Sequence, residues 1–140
     1  MPFYGPPGTG TGLTAASQAQ QEAGTDVAVG TTPGRQHFHP SAAKLWLKAT
    51  ANSTTIEVSY NITSVADTAT GRMTVTIATD FSGVDWAGMV CAEVAAAADA
   101  HTQVLDSIPA ADTCVIENAN PVSGLIDPVA WFLVGYGDFA

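Results

Sequence analysis

Positive charge is scarce in this chain of 140 residues, which has four Lys and Arg against 13 Asp and Glu and a formal net charge of −9. Phosphate contacts need clustered Lys and Arg, so the sequence offers no basic patch for nucleic acid. All charged residues together make up only 12% of the chain, whereas about 25% is usual. Because a lone soluble monomer normally carries more surface charge, the low share favours a protein that is buried against other subunits.

Long apolar runs and cysteines are also scarce. No run reaches the roughly 18 apolar residues that a membrane span needs, and the start, MPFYGPPGTG, lacks the charged and apolar regions of a signal peptide. We therefore expect a product made in the cytoplasm, with no membrane partner. The two cysteines, Cys91 and Cys114, fit no zinc motif. They are either two buried free thiols or, if their strands are neighbours, one disulfide.

The character of the sequence changes at the stretch GRQHFHPSAAKLWLK, residues 34–48. Residues 1–33 are rich in Gly, Pro, Thr, Ala and Gln and have almost no apolar periodicity, which predicts an N-terminal arm. Residues 34–140 contain short alternating segments and predict one domain. Pro33 and Pro40 favour extended backbone before them, so we expect the junction to be strand-like.

One short helix is predicted inside the arm, over residues 14–23, TAASQAQQEA. Thr14 or Ser17 is its N-cap candidate, and Gly24 is placed to end it. Its faces are nearly all Ala and Gln, so it has no apolar stripe for a core.

The first 13 residues have three large apolar side chains, Phe3, Tyr4 and Leu13. A segment with so few apolar groups cannot fold by itself. We therefore expect these three side chains to insert into pockets on a neighbouring subunit or shell protein.

The domain is predicted to be mainly β, an antiparallel β-sandwich of about seven strands. The predicted strands cover residues 44–48, 55–65, 72–79, 86–95, 103–108, 113–117 and 129–136. In the second of them, Ile56, Val58, Tyr60 and Ile62 alternate with polar residues and predict the buried side; Met73, Val75 and Ile77 do so in the third. The last strand is apolar at consecutive positions, which indicates a central place in a sheet or contact with another chain.

From about Gln18 onward the chain resembles a widespread domain of tailed-bacteriophage structural proteins. The resemblance rests on QAQQEAGT, TPGRQHFHPSAAKLW, SYNITSVADTATGRMTVTIATDF and the GYGD near the end. It implies a non-enzymatic virion protein on the particle exterior, and the short arm without a fibre shaft favours a capsid decoration or cement protein. Similarity to fibre and head-decoration proteins also implies a homotrimer that contacts the major capsid or a tail protein.

Two alternatives remain open. A tail-fibre or adsorption component would contact a host surface glycan through exposed aromatic side chains such as Trp46, Trp86 or Tyr136. A free carbohydrate-binding module would share the sandwich fold but would leave the arm unexplained.

Four residues are candidates for the subunit interface: Arg35, His37, His39 and Trp46. His37 and His39 are two apart, so an extended backbone would place both on one face, and three such pairs in a trimer could bind a transition metal. The alternative is that both are polar surface or interface groups, since no Cys or carboxylate lies within three positions. No cofactor is expected.

Catalytic arrangements are not evident in the sequence. Ser41 follows His39 closely and Cys91 is far along the chain from His101, but neither nucleophile sits in a recognised catalytic context. Four aspartates that might be paired for hydrolysis fall in predicted turns or at strand ends, where Asp is common: Asp80, Asp85, Asp99 and Asp106. We therefore expect a protein that is not an enzyme.

Overall fold

The computed structural model describes residues 14–26, 28–33, 36–39, 41–50, 55–95 and 110–140, and the backbone alone of residues 102–106. The chain divides into two compact units, Met1–His39 and Pro40–Ala140. Several residues singled out in the sequence lie outside the described residues: the arm anchors Phe3, Tyr4 and Leu13, the interface residue Arg35, and Asp99 and His101.

The first unit contains one helix, α1, Gln18–Ala23. It begins four residues after the predicted start because Ser17, not Thr14, is the N-cap. The Ser17 hydroxyl accepts a hydrogen bond from the Gln20 N–H at 3.2 Å, and the Gln20 side chain accepts one from the Ser17 N–H at 2.9 Å. This reciprocal pair is a capping box. Gly24 ends the helix in the left-handed conformation, as its position predicted.

The expected strand-like junction is wrong at residues 36–38, which form a short 3-10 helix, Gln36–Phe38. The Gln36 N–H donates to the Thr32 carbonyl at 3.0 Å, and the His39 N–H donates to the Gln36 carbonyl at 3.2 Å. Pro33 is compatible with this turn because its fixed φ suits the first residues of a helix. The local turn therefore replaces extended backbone.

The second unit is an antiparallel β-sandwich, as predicted. Its strands are β1 Leu45–Thr50, β2 Ile56–Tyr60, β3 Ile62–Ala69, β4 Arg72–Ile77, β5 Ala87–Glu93, β6 Thr102–Asp106, β7 Thr113–Asn120, β8 Gly124–Leu125 and β9 Ala130–Tyr136. One sheet has the order β2-β1-β9-β5, and the other has the order β3-β4-β7-β6 with β8 paired to β7.

Both sheets contribute side chains to one core. The four-stranded sheet supplies Leu45, Leu47, Trp131 and Leu133; the five-stranded sheet supplies Val65, Met73, Val75, Ile77, Cys114 and Ile116. The predicted inward positions on β4 are therefore confirmed. The apolar run in β9 predicted a central place in a sheet or contact with another chain, and β9 lies between β1 and β5.

The single strand predicted over residues 55–65 is wrong, because the chain changes sheets within it. Asn61 has a φ of 58° and separates β2 from β3. The pairing of β1 with β2 contains a register shift. Lys48 lies opposite Val58, whereas the next residue, Ala49, lies opposite Ile56, so Glu57 is an extra residue in β2. This bulge breaks the simple alternation that the sequence suggested.

Candidate interaction surface

The outer face of the four-stranded sheet is apolar and aromatic. We call it the aromatic face; it consists of Val58 and Tyr60 on β2, Trp46 and Lys48 on β1, Phe132, Val134 and Tyr136 on β9, and Ala87, Met89, Cys91 and the charged Glu93 on β5. Residues on neighbouring positions of these strands alternate between the core and this face. The outward side chains of the four paired strands therefore form one continuous surface.

Two rows of side chains cross the aromatic face. Tyr60 lies opposite Trp46, which lies opposite Val134, which lies opposite Met89. In the next row, Val58, Lys48, Phe132 and Cys91 face one another in the same way. Directly opposed residues in antiparallel strands have β-carbons about 4.5–5.5 Å apart, so each row forms one contiguous strip.

The first row begins with two stacked rings. The centroids of Trp46 and Tyr60 are 6.5 Å apart and their planes are 22° apart, within the range for aromatic pairs. Trp46 is 38% exposed and Tyr60 is 42% exposed, so both rings keep a face open to solvent. Val58 and Tyr60 were predicted to lie on a buried side, and that prediction is wrong because β2 turns them outward.

The second row contains the cation of the face. The Lys48 ammonium lies 2.6 Å from a Glu57 carboxylate oxygen and 5.9 Å from the centroid of the Phe132 ring. The hydrogen bond to Glu57 and its negative charge raise the pKa of Lys48. The ion pair neutralises the charge of Lys48, and the lysine stem covers part of Phe132.

The opposite side of the sandwich has a different composition. On the outer face of the five-stranded sheet, Ser64 lies opposite Thr76, Thr76 lies opposite Thr113, and Arg72 lies opposite Glu117, with which it forms an ion pair. Thr and Ser in strands suit a solvated sheet surface. The aromatic face is therefore not a general property of this sandwich, since the fold tolerates a polar outer face on its other sheet.

Trp46, a predicted interface residue of the second unit, lies on the aromatic face, and His37 and His39 belong to the first unit. His37 lies in the 3-10 helix and His39 follows its last residue, so the extended backbone that would place both histidines on one face is not present there. Among the described residues, no group of three or more His, Cys, Asp and Glu side chains is placed to hold a metal ion.

Of the three aromatic residues considered for glycan stacking, Trp86 is not available. It is 7% exposed, its ring stacks on Phe81 with centroids 4.7 Å apart, and its indole N–H donates to the Ala110 carbonyl at 3.0 Å. Trp46 and Tyr136 are exposed on the aromatic face. The sequence did not single out Met89 or Phe132, because alternation along a strand does not tell which side faces the core.

The two cysteines are free and lie in different sheets. Cys91 is exposed, which corrects the expectation of two buried thiols, and Cys114 is buried. Burial raises the pKa of the Cys114 thiol from its usual 9.0 to about 12. A thiol with so high a pKa is a poor nucleophile at neutral pH.

A shallow cleft of about 290 Å³ lies in the second unit beside the Phe81–Trp86 stack. Its polar lining includes Ser82, Asp85 and Asp138. The Ser82 N–H donates to the Asp138 carbonyl at 2.8 Å, which closes the loop onto the chain end.

A smaller cavity of about 160 Å³ lies within the first unit. Gln21 contributes to its lining and is 4% exposed, and its side-chain nitrogen and oxygen have no hydrogen-bond partner among the described residues. Sequence reasoning missed this residue because a Gln on a polar helix is normally exposed.

No helix in the described part of the chain is both long and apolar enough to cross a membrane. Comparisons of the chain with protein-family models, with curated proteins and with solved structures give no match.

Proposed function

We propose that this chain is a non-enzymatic structural protein on the exterior of a tailed-bacteriophage particle, where it decorates or cements the capsid. The observation that carries the proposal is the aromatic face, an open apolar surface on a chain that is otherwise poor in charge. Trp, Tyr, Phe and Met are the residues enriched in protein–protein contacts. The resemblance of the sequence motifs to phage structural domains is the reason for proposing a phage particle as the place where such contacts form.

The two parts of the chain have different tasks in this proposal. The second unit has its own core from both sheets, so it can fold as a module. Residues 1–33 attach it to the major capsid or a tail protein through Phe3, Tyr4 and Leu13, each of which stabilises the attachment by about 1.5–3 kcal/mol if fully buried. The module itself forms a homotrimer, and neither membrane nor nucleic acid is a partner.

Two measurements test the proposal. Mass spectrometry of purified virions should find the chain, and its absence from the particle would refute the proposal. Particles stripped of the protein should rebind the full chain but not a chain that begins at Gly34. Undiminished binding of the shortened chain would show that the sandwich, not the arm, makes the attachment.

A second candidate function is adsorption to a host surface glycan, favoured by the open stack of Trp46 on Tyr60. Exposed aromatic rings provide stacking platforms for sugars. Labelled protein should then bind host cells, and Trp46→Ala should abolish that binding. Equal cell binding by the wild-type chain and Trp46→Ala would exclude this role for the aromatic face.

A further inference from the structure

We propose that the cavity of the first unit binds an uncharged primary carboxamide, the side-chain group of Asn and Gln, presented by another protein of the particle. The cavity has a volume of about 160 Å³, and Gln21 is part of its lining. The inference rests on the proposed structural function and deepens it, because it names the chemical group that the first unit recognises on its neighbour.

The Gln21 amide is the observation that carries the inference. Gln21 is only 4% exposed, and its side-chain nitrogen and oxygen have no hydrogen-bond partner among the described residues. Burying an amide without partners costs free energy, so buried polar groups in native proteins are nearly always paired. This side chain therefore has one unused donor group and one unused acceptor in a place buried from bulk water.

Neighbouring polar side chains of α1 do have partners. The Gln18 side-chain nitrogen donates to a Glu22 carboxylate oxygen at 2.8 Å. The Gln20 side-chain nitrogen donates to an Asp26 carboxylate oxygen at 2.7 Å. The missing partners of Gln21 are therefore not a general feature of this short helix.

The two unpaired atoms of Gln21 select the ligand group. A carboxylate only accepts hydrogen bonds and an ammonium only donates them, so either group would leave one Gln21 atom unpaired. A trans peptide group directs its N–H and its C=O to opposite sides, so it also reaches only one of the two atoms. A primary carboxamide carries a donor and an acceptor side by side, so one such group pairs with both atoms.

The size and the charge of the cavity fit this group. A cavity of about 150 Å³ can hold a benzene molecule, so a cavity of about 160 Å³ can hold an Asn or Gln side chain. Asp26 belongs to the lining and is exposed, and its negative charge disfavours a ligand with a carboxylate or a phosphate. Ala16 and Val29 offer apolar contacts to the methylene groups of the ligand.

The cavity can be entered from solvent. Three lining residues, Gly24, Thr31 and His39, are exposed, whereas Ala16 and Gln21 are buried. An entering side chain therefore passes the exposed residues before it reaches Gln21, whose side-chain torsions let the amide turn towards it. A bound carboxamide removes the cost of the unpaired amide, and this gain favours binding.

The experiment uses the full chain and takes propionamide as the probe. Two-dimensional NMR spectra of the isotopically labelled chain follow the side-chain amide of Gln21 and the backbone amides of Ala16 and Gly24 during titration. Propionate, which has nearly the same size and a negative charge, is the matched control ligand. Both probes are compared on the wild-type chain, so this comparison does not depend on the folding of a variant.

Two variants of α1 complete the experiment. Gln21→Met keeps a similar volume and removes the amide from the cavity. Gln18→Met makes the same change on the same helix at a side chain outside the cavity lining. The backbone amide signal of Gly24, which donates to the Gln20 carbonyl in the folded helix, shows whether α1 is formed in each variant.

We expect propionamide to shift the three signals of the wild-type chain in a saturable way, with a Kd in the millimolar range because a fragment this small makes few contacts. Propionate should bind at least about tenfold more weakly, since it leaves the Gln21 oxygen unpaired. Gln21→Met should lose propionamide binding by about tenfold or more, whereas Gln18→Met should keep the wild-type Kd.

Stripped particles test whether a particle protein supplies the carboxamide. They should rebind Gln18→Met as well as wild type, and they should rebind Gln21→Met at least about tenfold more weakly. Equal rebinding of all three proteins would overturn the particle protein as the source, and a free amide would then be the ligand of the cavity.

Two results would overturn the binding site itself. One is the absence of any saturable shift with propionamide, which would show that water alone satisfies Gln21; the other is equal propionamide binding by Gln21→Met and wild type. Failure of the proposed function has a different signature. A chain that binds propionamide through Gln21 but is absent from virions would refute the structural role and keep the site, whereas a chain found in virions that does not bind propionamide would do the reverse.

Discussion

The Asn61 side chain forms two hydrogen bonds with the backbone of Thr79, accepting from its N–H at 2.6 Å and donating to its carbonyl at 3.0 Å. Thr79 follows β4, and Asn61 lies between β2 and β3. The Asn61 carbonyl also accepts from the Ala78 N–H at 3.1 Å. These bonds hold the point at which the chain leaves one sheet for the other, and so they determine that Tyr60 belongs to the aromatic face.

Asn61→Ala should lower the free energy of unfolding by about 2–3 kcal/mol, because it loses both side-chain hydrogen bonds and places alanine at positive φ. Asn61→Gly loses the same bonds but adopts positive φ freely, so its cost should be smaller by about 1 kcal/mol. Urea unfolding of wild type, Asn61→Ala and Asn61→Gly measures these differences in the free energy of unfolding. Equal losses for Ala and Gly would show that the left-handed backbone is not part of the effect.

Gly71, at the tip of the β3–β4 hairpin, should not tolerate a side chain. Its φ is 67°, and a β-carbon there would lie 2.7 Å from both the Asn118 carbonyl oxygen and the Ile126 nitrogen. We therefore expect Gly71→Ala to destabilise the sandwich by more than about 1 kcal/mol. Each kcal/mol lowers the melting temperature by about 4–8 °C for a domain of this size.

Gly83→Ala is the matched control for Gly71→Ala. A β-carbon at Gly83 would meet nothing within 4 Å. Its melting temperature should therefore stay close to that of wild type, and a drop equal to that of Gly71→Ala would contradict the steric explanation.

The sequence predicted the strands best where alternation was unbroken. Met73, Val75 and Ile77 alternate with polar residues, and β4 is central and alternates without a break, so the periodicity identified its buried side. The continuous apolar run of β9 predicted a central position or contact with another chain, and the structure places β9 between two strands.

The aromatic face could not be predicted, because it depends on which side of each strand meets the other sheet. Val58 and Tyr60 alternate as regularly as core residues do, yet the bulge opposite Lys48 and the turn at Asn61 direct them outward. Tertiary pairing, not local pattern, decides the buried side. Composition bears on this face only as a prediction, since the low charged share favours a protein that is buried against other subunits.

Gln21→Met should stabilise the first unit, because it removes a buried amide that lacks partners among the described residues and keeps a similar volume. Hydrogen exchange at the Gly24 amide, which donates to the Gln20 carbonyl at 3.1 Å, measures helix opening. Exchange should slow in Gln21→Met by the equivalent of about 1–3 kcal/mol. Ser17→Ala, which removes the N-cap, should accelerate it. Faster exchange in Gln21→Met would show that the amide is satisfied by a ligand or water.

Cys114 should make the stability of the sandwich fall at high pH. Because burial raises the pKa of its thiol from 9.0 to about 12, the unfolded chain loses this proton first, and the folded state is disfavoured as the pH rises from 9 towards 12. The loss relative to neutral pH should be about 1.4 kcal/mol at pH 10, and below pH 9 there should be almost none. Lys48, whose pKa is also raised, adds a loss in the same direction above its usual 10.5.

Urea unfolding under reducing conditions should therefore compare wild type with Cys114→Ala, which removes only the thiol contribution. Cys91→Ala, a change at an exposed thiol, should keep the wild-type slope between pH 9 and 10. If Cys114→Ala kept that slope as well, ionisation of Cys114 would not be its cause.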